Sequence, residues 1–129
     1  MAKLTPEEES LSESYILFEL ARKVLEKDLT KIDQSPMKLK DPYIRLLERS
    51  LQEISKELYT TKAKMKNIGL KIQLNEHDDT FSEYTIFFRG YVLTAKYLNA
   101  HLKNQVSHRI ATIFTGSPTQ NTEHPFPEA

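Results

Sequence analysis

The sequence predicts a mainly helical α+β domain: an antiparallel helical hairpin, then a two-stranded β-hairpin, then a long C-terminal helix. Three observations carry the prediction. Two long stretches repeat apolar residues every three to four positions, and each opens on a capping residue followed by proline. After Gly69 the period drops to two, as in a strand. The last apolar stretch returns to helical spacing and stops at Gly116 and Pro118. With 129 residues, 39% of them hydrophobic and 28% charged, the chain is the size of one ordinary domain and needs no staples to fold.

The first helix is expected over residues 5–33. Thr5 caps it, Pro6 suits the first helical position, and Glu8 completes a capping box with Thr5. Glu7, Glu8 and Glu9 lie at the positive end of the helix dipole. Leu11, Tyr15, Phe18, Leu25, Leu29 and Ile32 form an apolar stripe that Leu17, Ala21 and Val24 widen, so more than one neighbour is expected.

The second helix is expected over residues 41–68, with Asp41 as cap and Pro42 in the first position. Leu47, Leu51, Ile54, Leu58 and Met65 alternate three- and four-residue steps, and Thr61 fills the one gap. That is a heptad seam, and its five apolar members are the candidate interaction seam. It has two potential occupants, the first helix or a second copy of the chain. The short link between the helices favours antiparallel neighbours.

Leu70, Ile72 and Leu74 then alternate with Lys71, Gln73 and Asn75, and Tyr84, Ile86 and Phe88 alternate with Thr85, Phe87 and Arg89 up to Gly90. A β-hairpin over residues 70–75 and 83–89 follows. An all-α three-helix bundle is the alternative, because Thr80 and Glu83 also make a capping box and Phe81, Tyr84, Phe88, Tyr91, Ala95, Leu98 and Leu102 keep helical spacing. A glycine inside a helix costs about 1 kcal/mol relative to alanine, and Gly90 therefore favours the hairpin. The last helix is expected over residues 91–114, with Ala95, Leu98, Leu102, Val106, Ile110 and Ile113 on one face. Residues 1–116 form the domain. Residues 117–129, with Pro118, Pro125 and Pro127 and a lone Phe126, read as a flexible extension.

The chain has no cysteine, which excludes disulfides, thiol nucleophiles and Cys-ligated metals. It has no apolar run of membrane-spanning length and no signal-like start, so a cytoplasmic, non-membrane protein is expected. No phosphate loop, dinucleotide fingerprint or nucleophile elbow occurs. Glu76, His77, Asp78 and Asp79 are the one dense group of metal-ligand types, but they lack the spaced acids and glycine of a calcium loop and read as a solvated turn. His101 and His108 are seven residues apart, or about 10 Å along a helix, too far to share one ion unaided. No catalytic, cofactor-binding or metal-binding residue is assigned, and an enzyme is not expected.

Net charge is zero but segregated: residues 35–74 are basic on balance, 75–83 carry only acids, and no acid occurs from Tyr84 to Thr122. Such segregation suits either a partner or the packing of complementary faces. The leading reading is a non-catalytic protein–protein interaction or assembly module of the small bacterial or phage accessory type, self-associating through the seam or binding another protein. The alternative is a nucleic-acid-binding regulator using Lys62, Lys64, Lys66, Lys71, Arg89, Lys96, Lys103 and Arg109, interleaved with aromatics. A hairpin followed by a long helix resembles winged DNA-binding dimers, although two long helices stand in place of their three-helix core.

Overall fold

The computed structural model of the chain describes residues 3–116. Its elements, in chain order, are α1 (Pro6–Asp33), α2 (Asp41–Asn67), β1 (Leu70–His77), β2 (Phe81–Phe88), β3 (Tyr91–Leu98) and α3 (Asn99–Phe114). The helical pair, the small antiparallel sheet and the C-terminal helix are those the sequence predicts. The all-α alternative does not form. The expected extension from residue 117 lies outside the described residues.

Thr5 is extended and caps α1 as expected: its hydroxyl accepts from the Glu8 N–H at 3.1 Å, and Glu8 accepts from the Thr5 N–H at 2.9 Å. At α2 the cap differs. Lys40, not Asp41, is the N-cap residue, and its side chain turns backwards to donate to the Asp33 and Ser35 carbonyls at 2.7 and 3.3 Å. It thereby closes the link onto the carbonyl-rich end of α1. Ile16, Leu17, Phe18, Ala21 and Leu25 of α1 and Leu47, Ile54, Leu58 and Met65 of α2 are all buried, in one core shared with the sheet and α3. Ser12 and Ser50 are buried as well. Each hydroxyl bonds the carbonyl four residues earlier, so small side chains enter the seam with no orphaned polar atom.

Gly69 (φ 72°) turns the chain out of α2 into β1. The hairpin is longer than expected, with Leu70 opposite Phe88 and Ile72 opposite Ile86, and a bulge at Asn75 between Leu74 and Glu76. Leu70, Ile72, Tyr84, Ile86 and Phe88 share the buried face. α1 lies over it, since Glu8 reaches Arg89 and both Tyr15 and Glu19 lie close enough to act on Tyr84.

The expected start of the last helix at residue 91 is corrected: residues 91–98 are a third strand, and α3 begins at Asn99. Arg89 (φ 49°) and Gly90 (φ 83°) are both left-handed between the paired Phe88 and Tyr91, which makes a two-residue hairpin turn matched to strand twist. Tyr91, Ala95 and Leu98 fit helical spacing, yet Leu93, Ala95 and Tyr97 fit a strand equally well. These last three half-bury against the helices, with Tyr97 edge-on to Tyr84 at 5.9 Å between ring centres. The sheet order is β1-β2-β3, one face covered by helices and the other open.

Candidate interaction site

The predicted seam is not a free surface. Leu47, Ile54, Leu58 and Met65 are each 5% exposed or less, and Leu51 is half-buried, all within the chain's own core. α1 packs on that seam inside the chain, and a candidate surface for a partner lies on another face.

The widened stripe on α1 supplies one. Leu17 and Ala21 face the core, whereas Leu20 and Val24 fall at the margin between α1 and α3. Opposite them stand Leu102, Val106 and Ile110, and together these five line an open groove of about 430 Å³. Val24 is 40% exposed there. A shallow depression continues past Leu20 and Val24, bordered by Lys23 and Lys27, and Lys103 borders the groove itself. None of these three lysines has an ion-pair partner among the described residues.

Ser82 and Asn99 bring polar side chains to the groove, and both are committed to structure. The Ser82 hydroxyl donates to Asn99 Oδ1 at 2.6 Å, Asn99 Nδ2 donates to the Asp78 carbonyl at 2.7 Å, and the Asn99 N–H donates to the Thr80 carbonyl at 2.8 Å. Asn99 thus fastens the start of α3 to the β1–β2 turn. The sequence reading missed Leu20 and Asn99. Leu20 carried a signal, its four-residue step to Val24.

Comparison with known proteins places this architecture. The YhjD protein family matches residues 3–118. The chain belongs to the YhjD protein family. It is 31% identical over 107 residues to the uncharacterized protein YhjD of Bacillus subtilis (strain 168), an alignment covering 83% of this chain and 89% of that relative. No solved structure matches it. The family match takes in all six elements and the whole groove and ends just past α3.

In this YhjD-family protein the eight basic candidates do not converge. Arg89 is held by Glu8 at 2.6 Å, and Lys62 lies 3.7 Å from Glu19. Arg109 lies 4.9 Å over the Phe18 ring, where burial lowers its pKa while Glu13 and Glu57 oppose that. Lys96 lies 5.3 Å over Phe81 on the open sheet face. Lys64 borders the α1–α2 margin near Glu7, while Lys66, Lys71 and Lys103 are exposed on three different elements.

The acidic loop is a turn. Asp78 accepts from the N–H groups of Phe81 and Thr80 at 2.7 and 2.8 Å, which holds its carboxyl below the usual range. Glu8 is held low in the same way, first by the Arg89 guanidinium and then by the Thr5 N–H. Among the described residues no group of three His, Cys, Asp or Glu side chains is placed to hold a metal ion. His101 borders a small crevice with Glu13 and Tyr97 that His108 does not reach. Among the described residues no helix is long and apolar enough to cross a membrane.

Proposed function

We propose that this YhjD-family protein is a non-catalytic, cytoplasmic interaction module whose α1–α3 groove receives the apolar face of a partner protein's helix, flanked by acidic side chains. The groove carries this reading. Leu20, Val24, Leu102, Val106 and Ile110 present helical ridges with room between them, which suits helix-in-groove recognition. Each large apolar side chain buried there contributes about 1.5–3 kcal/mol. Lys23, Lys27 and Lys103, without ion-pair partners among the described residues, favour acidic flanks and speed association.

The test is photo-cross-linking from position 24 in cells of the source organism, followed by pull-down with purified variants. Val24→Asp should abolish capture of the cross-linked partner while leaving the fold intact. Tyr59→Asp, at a position 79% exposed on α2, should capture it fully. Undiminished capture by Val24→Asp, or no cross-link from position 24, refutes the reading.

A further inference from the structure

We propose that two copies of this chain join edge to edge through β3, forming one antiparallel sheet in which Val92 of one copy lies opposite Leu98 of the other. The surface is separate from the α1–α3 groove, and the inference does not depend on the function proposed for that groove.

β3 is an edge strand. Phe88 and Tyr91 flank the two-residue turn, so Tyr91, Leu93, Ala95 and Tyr97 exchange their backbone bonds with β2. Val92, Thr94, Lys96 and Leu98 therefore turn their N–H and C=O groups outward. Among the described residues nothing else bonds these groups, apart from the Leu98 carbonyl, which opens α3 as its N-cap. The opposite edge, β1, is broken by its bulge and carries Lys71 and Glu76, features that discourage pairing. β3 has no bulge and no proline. Its one charge, Lys96, is drawn over the Phe81 ring.

The exposed side chains of β3 are self-complementary in a single register. With a two-fold axis at Ala95, Val92 meets Leu98, Thr94 meets Lys96, and every outward residue meets an outward residue. A slip in one direction sets Lys96 against Lys96. A slip in the other strands Leu98 opposite Gly90 and sets Val92 against Lys96. Only the Ala95-centred register pairs Val92 (62% exposed) with Leu98 (51% exposed) and separates the lysines. It also continues pairs already present within each chain. Phe87 is opposite Val92 and Phe81 is opposite Leu98, so two apolar rows cross the junction, each running from Phe87 of one copy to Phe81 of the other.

Mass in solution at tens of micromolar protein should be twice the 15.0 kDa of one chain. Val92→Lys, a change at an exposed site, should give a monomer with an unchanged circular dichroism spectrum, while Val24→Asp in the groove should remain dimeric. The chain has no cysteine, so single cysteines report the register directly. Ala95 would face itself in a non-hydrogen-bonded pair, with Cα atoms roughly 4.5 Å apart, close enough for a disulfide. Under mild oxidation Ala95→Cys should form a covalent dimer at least tenfold faster than Tyr59→Cys. A monomeric wild type, a dimer indifferent to Val92→Lys, or no faster linkage of Ala95→Cys overturns the proposal. The cross-link decides the matter if Val92→Lys fails to fold.

Discussion

Replacing Ile54 by alanine tests whether the heptad seam is the chain's own core. Ile54 is 0% exposed in the cluster that joins α2 to α1. Truncating a buried isoleucine costs about 2–5 kcal/mol, the spread reflecting how far the surroundings collapse into the gap. Ser50 and Ala21 are small and fully packed, so little collapse is available, and about 3–4 kcal/mol is expected. For a domain of this size each kcal/mol moves the melting temperature by roughly 3–5 °C, giving a fall of about 10–20 °C. Urea unfolding should show a lower midpoint with an unchanged slope. Tyr59→Ala, 79% exposed on the same helix, should stay within about 0.5 kcal/mol of wild type. Mass in solution should be unaffected by either change. An Ile54→Ala protein that melts within about 2 °C of wild type yet loses mass in solution would falsify the intrachain seam.

Acid should remove the stability supplied by Glu8 and Asp78. Their folded pKa values lie below 4.5 and 3.8, so the contribution is present above those values and fades as pH falls through the lower folded ones; Glu8→Gln should flatten that limb of a stability–pH curve. At the alkaline end, burial pushes Tyr84 from 10.0 up to about 12. Its stabilising contribution is complete below pH 10.0 and is lost as pH rises through about 12, and Tyr84→Phe should remove this loss. Solvent reaches the hydroxyl and screens the effect, so the loss is about 1–2 kcal/mol. Gly90→Val forces a β-branched residue to φ 83° and should cost at least about 1–2 kcal/mol in thermal unfolding, whereas Gly90→Asn should cost much less.

How far the sequence could be read depended on the range of each signal. The α1 cap was legible because Thr5, Pro6 and Glu8 act within one turn. The seam was legible because its period needs no partner to be seen. Residues 91–98 were misread because Tyr91, Ala95 and Leu98 satisfy helical spacing while Leu93, Ala95 and Tyr97 satisfy a strand, and only the pairing of Phe88 with Tyr91 decides between them. A clue lay in Arg89-Gly90, since glycine in the second turn position suits a two-residue hairpin. The groove was not legible. Leu20 and Val24 border α3 only after the sheet has turned the chain back, and no local pattern measures that return.

The segregated charge shows what remains for a partner once the fold has used its share. α1 brings Glu8, Glu13 and Glu19, and the acid-free stretch from Tyr84 to Thr122 answers with Arg89 on Glu8 and Arg109 near Glu13. Lys62 of the basic second helix lies beside Glu19. Oppositely charged segments of one chain therefore meet at these points. Among the described residues Lys23, Lys27 and Lys103 have no ion-pair partner; Lys23 and Lys27 border the depression past Leu20 and Val24, and Lys103 borders the groove. Glu26, which lines the same depression, is engaged by Arg22 at 3.1 Å. The proposed partner, an apolar helix face with acids beside it, should therefore associate more slowly as added salt screens Lys23, Lys27 and Lys103, and a rate indifferent to salt would count against those acidic flanks.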